Sequence, residues 1–398
     1  MPGRSGPAGN RSIGRMRVLV APDKFRGTLT ARQAAEAVAT GWRRTRPDDQ
    51  LDLAPMADGG EGTMAALVDA LHGEVVRATV SGPREDPVEA TFGIAEAAEG
   101  RVAIVEMASA SGLELLSTPR RDPRLTTTRG TGELIAAALD RGPVRLIVGL
   151  GGSATNDGGA GMAQALGVRF HDEQGREITG GGLALAGLTR VDATGLDRRL
   201  RRVTCVAATD VDNPLTGPAG ASAVYGPQKG ASADDVVVLD RALAHLAAVV
   251  ARDIGVDLRD EPGAGAAGGL GFGLMAFLGA HVRPGVDVVA DALGLHERMT
   301  AADLTVTGEG KLDGGSLRGK VPAGILGLGR ELSVPVIIVC GDVEADLPLE
   351  GVTVVSLVER FGRDEALGDA RRSLERLAQE LAARADELVG IGDEKGQR

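Results

Sequence analysis

The segment from Val144 to Gly167 constrains the fold and the function of this chain more than any other. Its apolar beginning predicts a buried strand, and the strand passes without a spacer into the loop GLGGSATNDGG, residues 149–159. Glycines permit positive φ angles and a close approach of the backbone, so their amides can converge on an anion. Ser153 and Thr155 add hydroxyl groups, and Asp157 adds a carboxylate. The pattern predicts a phosphate-binding loop at the carboxyl end of a strand.

Two other interpretations of this loop are open. A glycine-rich turn between a strand and a helix can serve close packing alone. Gly149, Gly151 and Ala154 also satisfy the spacing G-x-G-x-x-A, and Asp172 follows about 20 residues later, as a dinucleotide-binding fingerprint requires. Taken alone, the segment does not separate a kinase from a dehydrogenase.

Composition excludes several classes of function. A chain of 398 residues with 43% hydrophobic and 25% charged residues is typical of a globular protein with two domains. Aromatic residues make up only 2% and the formal net charge is -11, which argues against nucleic-acid binding. Small anionic ligands chelated to a metal remain compatible with this composition.

The cysteines and the hydropathy pattern favour a cytoplasmic protein without a membrane span. Cys205 and Cys340 lie in apolar runs and form no metal-binding motif, which is typical of a reducing compartment. Residues 1–15 lack the apolar core of a signal peptide, so we expect a disordered leader. The uncharged segment Pro262–Val282 has about the length of a membrane span, but its glycines favour a loop followed by a short helix.

Alternation of strands and helices predicts an α/β protein with two α/β domains. We expect one flavodoxin- or Rossmann-like parallel sheet with helices on both faces, and a mixed-sheet α/β domain inserted in it. The β-rich texture that begins near residue 75 sets the expected boundary. The expected segments are a disordered leader at 1–15, the flavodoxin-like domain at 16–74 plus 283–390, the inserted domain with the phosphate loop at 75–282, and a disordered tail at 391–398.

Charged side chains follow several predicted strands. One of these strands is expected at residues 304–307, ending at Thr307. These side chains are Asp23, Lys24, Asp58, Glu61, Asp157, Asp210, Asp212, Glu309 and Asp313. A dehydrogenase needs one phosphate turn and a hydride-handling residue, whereas phosphoryl transfer needs many donors and Mg²⁺ ligands. The chain has no Walker A or protein-kinase motifs, so the pattern favours a small-molecule kinase of another lineage.

Seven ordered motifs resemble those of the bacterial glycerate kinase family of the type that includes the glyoxylate- and glucarate-pathway enzymes. They are APDKFRGTLTA at 21–31, PMADGGEGT at 55–63, GGSATNDGGAGMAQALG at 151–167, DVDNPLTGPAGAS at 210–222, GPQKGA at 226–231, PGAGAAGGLG at 262–271 and TGEGKLD at 307–313. The resemblance extends from about Val18 to about Glu387. It implies phosphorylation of D-glycerate by ATP with Mg²⁺, and it favours 2-phosphoglycerate as the product.

The resemblance also suggests roles for individual residues. We expect Lys24 and Arg26 to bind the glycerate carboxylate, Asp58 to orient or deprotonate its hydroxyl, and Asp157 to take part in catalysis. Glu61 and Lys229 are further candidates for substrate binding. The expected nucleotide-binding residues are Gly151, Gly152, Ser153, Thr155, Asn156 and Lys320, and the expected Mg²⁺ ligands are Asp210, Glu309 and Asp313.

Two positions depart from the family pattern. Arg26 stands where the family commonly has lysine, and Gly315 stands where it often has glutamine. The alternatives to a glycerate kinase are an NAD(P)-dependent hydroxy-acid oxidoreductase and a non-catalytic regulator that binds sugar acids. The sequence leaves a monomer and a homodimer equally open.

Overall fold

The structure is a computed structural model that describes residues 15–25, 27–317, 319–345 and 347–393. Almost all of the expected leader, and residues 394–398 of the expected tail, lie outside the described residues. The last helix continues to Asp393, past residue 391 where we expected the tail to begin.

The strands, in chain order, are β1 (Arg17–Pro22), β2 (Gln50–Leu53), β3 (Glu74–Ser81), β4 (Pro87–Ala97), β5 (Gly100–Glu106), β6 (Arg145–Gly149), β7 (Arg169–His171), β8 (Arg190–Asp192), β9 (Thr204–Ala208), β10 (His281–Arg283), β11 (Leu304–Leu312), β12 (Val336–Val343) and β13 (Thr353–Ser356). The helices are α1 (Ala31–Thr45), α2 (Thr63–Ala70), α3 (Ala108–Ser111), α4 (Arg129–Leu139), α5 (Ala160–Ala165), α6 (Gly181–Ala184), α7 (Ala221–Tyr225), α8 (Ala233–Ile254), α9 (Ala266–Leu278), α10 (Gly285–Leu293), α11 (Leu295–Thr300), α12 (Val321–Leu332), α13 (Leu357–Phe361), α14 (Arg363–Gly368), α15 (Ala370–Ala383) and α16 (Ala385–Asp393).

The chain divides into two compact units. Unit 1 comprises Met1–Pro55 and Gly294–Arg398, and unit 2 comprises Met56–Leu293. We had expected residues 56–74 and 283–293 to belong with unit 1. They group with unit 2 because α2 packs on β4 and β5, and α10 packs on α2.

Unit 1 is built on a five-stranded parallel sheet in the order β13-β12-β11-β1-β2. Ile337 and Val339 of β12 belong to the core that contains residues of α1 and α15. Ile338 and Cys340 belong to a second core with Leu326 of α12. Because alternate residues of a strand point to opposite faces, helices cover both faces of this sheet, which confirms the predicted flavodoxin-like architecture.

Unit 2 is built on a six-stranded mixed sheet in the order β10-β9-β6-β5-β4-β3. The strands from β10 to β5 are parallel, whereas β4 is antiparallel to both of its neighbours. A separate antiparallel pair, β7 and β8, lies outside this sheet. The mixed α/β domain was therefore predicted correctly as an insertion in the chain of the parallel one.

The glycine-rich segment Pro262–Val282 forms a turn, the helix α9 and the start of β10. Ala267, Gly268 and Gly269 have positive φ angles at the beginning of α9, so the helix starts with a left-handed turn. No helix among the described residues combines the length and the apolar composition that a membrane span needs.

The predicted end of β11 was wrong. We expected a strand that ends at Thr307, but β11 continues to Leu312. The neighbouring strand β12 extends alongside it, and Glu309 pairs with Cys340 in the register. Glu309 is therefore a strand residue, and the turn follows at Asp313, because pairing within the sheet overrides the turn signal of the local glycines.

Gly41 allows a close approach of α1 and α15, and we predict that Gly41→Ala destabilises unit 1. A Cβ at Gly41 would lie 1.9 Å from the backbone oxygen of Glu375, so the helices would have to separate. We expect a loss of about 1–3 kcal/mol in the free energy of unfolding, as for other overpacked cores. Urea unfolding followed by the fluorescence of Trp42, the single tryptophan of the chain, measures it in unit 1.

The matched control is Gly327→Ala in α12, where a Cβ would meet no atom within 4 Å. Alanine is favoured over glycine inside a helix by up to about 1 kcal/mol, so this variant should be as stable as the wild type or more stable. Equal stability of the two variants would contradict the packing argument.

Candidate active site

Two glycine-rich loops of unit 2 touch each other at the carboxyl end of its sheet. One is the loop of residues 150–159, between β6 and α5, and the other precedes α2 at residues 58–62. A Cβ at Gly151 would lie 2.6 Å from the Cα of Gly60, and a Cβ at Gly149 would lie 2.7 Å from the carbonyl oxygen of Gly59. The two backbones therefore meet without side chains between them.

Asp58 lies at the start of the second loop with one carboxylate oxygen available. Gly59 and Gly62 have φ angles of +87° and +97°, so the chain turns back sharply around them. The Oδ1 of Asp58 accepts a hydrogen bond from the amide of Gly60 at 3.1 Å. Its Oδ2 has no hydrogen-bond partner in the part of the chain that the structure describes, and the residue is half-buried. Glu61, three residues later, is exposed.

Acidic residues at the ends of neighbouring strands complete this region of unit 2. Asp210 follows β9, and its Oδ1 accepts a hydrogen bond from the amide of Gly285 at 3.0 Å. Gly285 also packs against the Asp58 loop, since a Cβ there would lie 2.2 Å from the carbonyl oxygen of Asp58. Glu106 ends β5, and its Oε1 accepts from the amide of Met64 at 2.8 Å, which fixes the first turn of α2.

Asp157 lies at the base of the phosphate loop and is buried, with 1% of its surface exposed. Its Oδ2 accepts hydrogen bonds from the amide and the hydroxyl of Thr128 at 2.8 and 2.9 Å, from the hydroxyl of Thr127 at 3.3 Å and from the amide of Gly161 at 3.2 Å. Its Oδ1 accepts from the amide of Gly159 at 3.1 Å. Burial raises the pKa of Asp157, although these donors act in the opposite direction.

Lys229 and Ser222 hold the turn at Thr155 and Asn156, and all four residues are buried. The Nζ of Lys229 donates to the carbonyl oxygen of Thr155 at 2.7 Å, and the Nδ2 of Asn156 donates to the Oγ of Ser222 at 2.9 Å. Burial lowers the pKa of Lys229 to about 7, and the charge of Asp157 opposes this shift. Thr155 Oγ1 and Asn156 Oδ1 are buried without a hydrogen-bond partner among the described residues.

The second glycine-dense segment packs directly on this turn. A Cβ at Gly268 would lie 1.9 Å from the carbonyl oxygen of Thr155, and a Cβ at Gly269 would lie 2.8 Å from the Cα of Gly158. The amide of Gly158 in turn donates to the carbonyl oxygen of Gly268 at 3.1 Å. The glycines that begin α9 therefore provide close packing beneath the loop.

Unit 1 has its own group of polar residues at the ends of β1 and β11. Asp23 and Glu309 are buried, and Lys24 is half-buried. Asp313 turns the chain after β11: its Oδ1 accepts from the amide of Gly315 at 2.9 Å and from that of Ser316 at 3.1 Å. Burial alone would raise the pKa of Asp313, but these amides and the charge of Lys320 hold it below its ordinary value.

Gly315, where the sequence departs from the family pattern, adjoins two of the predicted site residues. A Cβ there would lie 3.0 Å from the Oδ1 of Asp313 and 3.6 Å from the Nζ of Lys320. A glutamine at this position would therefore start beside both charged groups, and glycine leaves that space to them. Arg26, the other departure, lies outside the described residues.

The predicted site residues thus fall into two groups. Unit 1 contains Lys24, Glu309, Asp313 and Lys320, and unit 2 contains Asp58, Glu61, Gly151, Gly152, Ser153, Thr155, Asn156, Asp157, Asp210 and Lys229. In the described ranges, no group of three or more histidine, cysteine or acidic side chains could by itself hold a metal ion.

Sequence reasoning overlooked the residues that hold the loops from beneath. Thr127, Thr128, Glu106 and Ser222 were given no role, although each bonds to a predicted site residue or fixes the turn beside one. The three consecutive threonines at 126–128 gave a signal, because a run of small hydroxyl side chains before a helix offers donors to a buried carboxylate. Glu106 and Ser222 had no comparable local signal.

The dinucleotide alternative does not fit this geometry. A dinucleotide fingerprint needs a helix that begins at the glycine turn and an acidic residue that ends the next strand of the same sheet. Here α5 begins only at Ala160. Asp172 follows β7, which belongs to the separate two-stranded sheet, and it forms an ion pair with Arg176.

Comparisons with known proteins agree with the motifs. The chain matches the glycerate kinase family over residues 18–386. It is 47% identical to the glycerate kinase of Bacillus subtilis (strain 168) over 373 residues, which cover 92% of this chain and 97% of that protein. It is 45% identical to the glycerate 2-kinase of Escherichia coli (strain K12), again with 92% and 97% covered.

A solved structure is similar over nearly the whole chain. The crystal structure of a protein described as glycerate kinase 2 from Salmonella typhimurium LT2 superimposes with a TM-score of 0.84 at 44% sequence identity. The match covers 94% of this chain and 99% of the other. On the motifs, the fold and these similarities, the chain belongs to the glycerate kinase family, a family of small-molecule kinases.

Proposed function

We propose that this protein transfers the γ-phosphoryl group of ATP to the 2-hydroxyl of D-glycerate with the help of Mg²⁺. The family supports the kinase and its substrate, and the name of the similar Escherichia coli protein, a glycerate 2-kinase, supports the position of the hydroxyl. The observation that carries the proposal is the contact between the Asp58 loop and the glycine-rich loop at the end of β6.

In this proposal, the contact between the two loops joins a phosphate-binding loop to a possible proton acceptor in unit 2. The tip of the phosphate loop, Gly151–Ser153, offers backbone amides; Gly151 and Gly152 are accessible to solvent, whereas Ser153 is buried. Such donors stabilise the charge on a transferring phosphoryl group. Next to the tip lies the carboxylate of Asp58, which offers an acceptor for the proton of the attacking hydroxyl.

The orientation of Asp58 suits this role. The amide of Gly60 holds Oδ1, so the open oxygen Oδ2 keeps a fixed direction. Most analyses of phosphoryl transfer find little covalent work for the protein, so a carboxylate contributes mainly by aligning the hydroxyl and receiving its proton late. We propose that Glu61, on the same loop, contributes to substrate binding.

The residues of unit 2 fit a nucleotide with its metal ion. The accessible loop tip would hold phosphate oxygens, and Asp210 would contribute one carboxylate to Mg²⁺. Mg²⁺ commonly takes one or two protein carboxylates and completes its shell with phosphates and water, which agrees with the lack of a larger acidic group in the described chain. The metal supplies charge neutralisation at the phosphates when it is bound.

The buried residues of the loop suit a supporting role better than direct contact. Asp157 already accepts hydrogen bonds on both oxygens, and Lys229 is bonded to Thr155. Direct action of Asp157, Thr155, Asn156 and Lys229 on substrate stays a prediction of the sequence.

Roles for the residues of unit 1 are also part of the proposal. We propose that Lys24 and Arg26 bind an anionic group of the substrate, that Lys320 offsets phosphate charge, and that Glu309 and Asp313 contribute to the metal site. Lys24 follows β1 and Asp313 follows β11, at the carboxyl ends of parallel strands where α/β proteins bind ligands, which supports the roles of these two residues. We further propose a cytoplasmic location and a monomer or homodimer.

Phosphorus NMR of the product tests the reaction itself. With ATP, Mg²⁺ and D-glycerate, we expect a resonance of 2-phosphoglycerate that grows as ATP is consumed, and no turnover after chelation of Mg²⁺ with EDTA. A 3-phosphoglycerate resonance would contradict the proposed hydroxyl. Reduction of NAD(P) by hydroxy acids, or binding of glycerate without turnover, would favour one of the two alternatives.

Asp58→Asn tests the proposed base. This nearly isosteric change keeps an oxygen for the amide of Gly60 but weakens the proton acceptor, so we expect kcat to fall by about 10²-fold or more. The control is Asp172→Asn. Asp172 also accepts from the amide two residues later, that of Gln174 at 2.9 Å, but it follows β7 of the separate two-stranded sheet and belongs to neither loop.

Steady-state kinetics of both variants, with circular dichroism to verify folding, provide the measurement. We expect Asp172→Asn to keep the wild-type kcat. Folded Asp58→Asn protein with the wild-type kcat would remove Asp58 from the mechanism. Loss of activity in Asp172→Asn as well would show that the effect is not specific to Asp58.

A further inference from the structure

Lys229 has a buried amino group beneath the phosphate loop, and burial lowers its pKa to about 7. It ends the short 3-10 turn Pro227–Lys229, which follows α7, and only 1% of its surface is exposed. Burial of a charge costs several kcal/mol unless the surroundings compensate it. Within the described residues the one hydrogen bond of its side chain is the donation from Nζ to the carbonyl oxygen of Thr155 at 2.7 Å. The interaction that offsets the cost of burying Lys229 is therefore its hydrogen bond to the backbone of the phosphate loop.

Lys229 does not act as an ordinary salt-bridge partner. The negative charge of Asp157 raises the pKa of Lys229. The two side chains nevertheless form no ion pair within 4 Å in the described part of the chain. The oxygens of Asp157 are instead occupied by Thr127, Thr128 and the amides of Gly159 and Gly161. Pairing with an opposite charge therefore does not explain why Lys229 is buried here.

The Thr155–Asn156 turn is held from two sides. Lys229 and Ser222, from one continuous segment, bond to Thr155 and Asn156 respectively. From the other side Gly268 packs against the same Thr155 carbonyl group. The turn lies between the accessible loop tip and Asp157, which is fixed by five hydrogen bonds. The turn therefore links the loop tip to a fixed carboxylate, and a shift of the turn would be passed on to the tip.

We propose that Lys229 is a positioning residue: by holding the carbonyl group of Thr155 it keeps the Gly151–Ser153 tip in the conformation that binds the transferring phosphoryl group, without touching substrate itself. The inference rests on the proposed function, since it assigns the tip to phosphoryl transfer. It differs from the role that the sequence suggested, in which Lys229 would contact the substrate directly.

Lys229→Met tests this proposal, because methionine keeps much of the side-chain volume and removes the donor. Small displacements of catalytic groups cost up to about 10²-fold in rate, so we expect kcat to fall at least about tenfold. The KM for glycerate should change less than about threefold, because a displaced tip affects the transition state more than substrate binding. The melting temperature should stay close to that of the wild type, because the variant also loses a buried charge.

The matched control is Gln164→Met in α5. Gln164 also donates from a side chain to a backbone carbonyl, that of Ile178 at 2.7 Å, but not to the phosphate loop. We expect this variant to keep the wild-type kcat even if it melts at a lower temperature. If Lys229→Met loses kcat without losing stability, and Gln164→Met keeps its kcat, then Lys229 positions the loop and does not merely stabilise the fold.

Hydrogen exchange of the peptide that covers residues 150–159 gives a readout that does not depend on turnover. We expect faster exchange there in Lys229→Met and an unchanged rate in Gln164→Met. If the wild type shows no glycerate-dependent turnover, the proposed function fails, and the exchange measurement still decides whether Lys229 holds the loop.

Folded Lys229→Met protein with kcat within about twofold of the wild type, or with unchanged loop exchange, overturns the proposal. Should Lys229→Met fail to fold, Ser222→Ala loosens the same turn at Asn156 with a smaller change in volume. We then expect a fall in kcat of about threefold or more at a nearly unchanged KM. A wild-type kcat in Ser222→Ala would contradict the proposed importance of the turn.

Discussion

The contact between two backbones at the carboxyl end of the unit 2 sheet is the constraint on which the candidate site depends. Gly59 and Gly60 lie directly against Gly149 and Gly151, at distances that exclude any side chain. This approach places the carboxylate of Asp58 beside the loop tip that we assign to phosphate binding. It also explains the glycines at 149 and 151, since a Cβ at either position would press against the backbone of the Asp58 loop and push the two loops apart.

Beneath this contact lies a layer of buried polar groups that make the loop rigid. Asp157 organises the threonines before α4, and Lys229 and Ser222 hold the turn that leads back to the loop tip. Such groups are costly to bury, and their hydrogen bonds to the loop offset part of that cost. The loop therefore consists of an accessible tip made of backbone amides and a buried base made of side chains.

Local patterns predicted much of the fold because most strands are short apolar runs bounded by glycine, proline or acidic residues. A further local pattern of this kind is the pair Thr30 and Gln33, which forms a capping box at the start of α1. The errors have a common cause in tertiary contacts. The strand β11 extends past its glycines because β12 pairs with it, and α2 groups with unit 2 because its apolar face packs on β4 and β5. Neither partner is visible in the local sequence.

The sequence by itself determined the architecture class, the family and the set of polar residues at the strand ends, because glycine, acidic and hydroxyl residues after an apolar run have a specific local meaning. Only the tertiary structure decided which of them are accessible. It buried Thr155, Asn156, Asp157 and Lys229 and left Asp58 with an open oxygen. The physical reason is that burial and hydrogen-bond partners come from segments distant in the chain, such as Thr128, Ser222 and Gly268, whose approach no local pattern records.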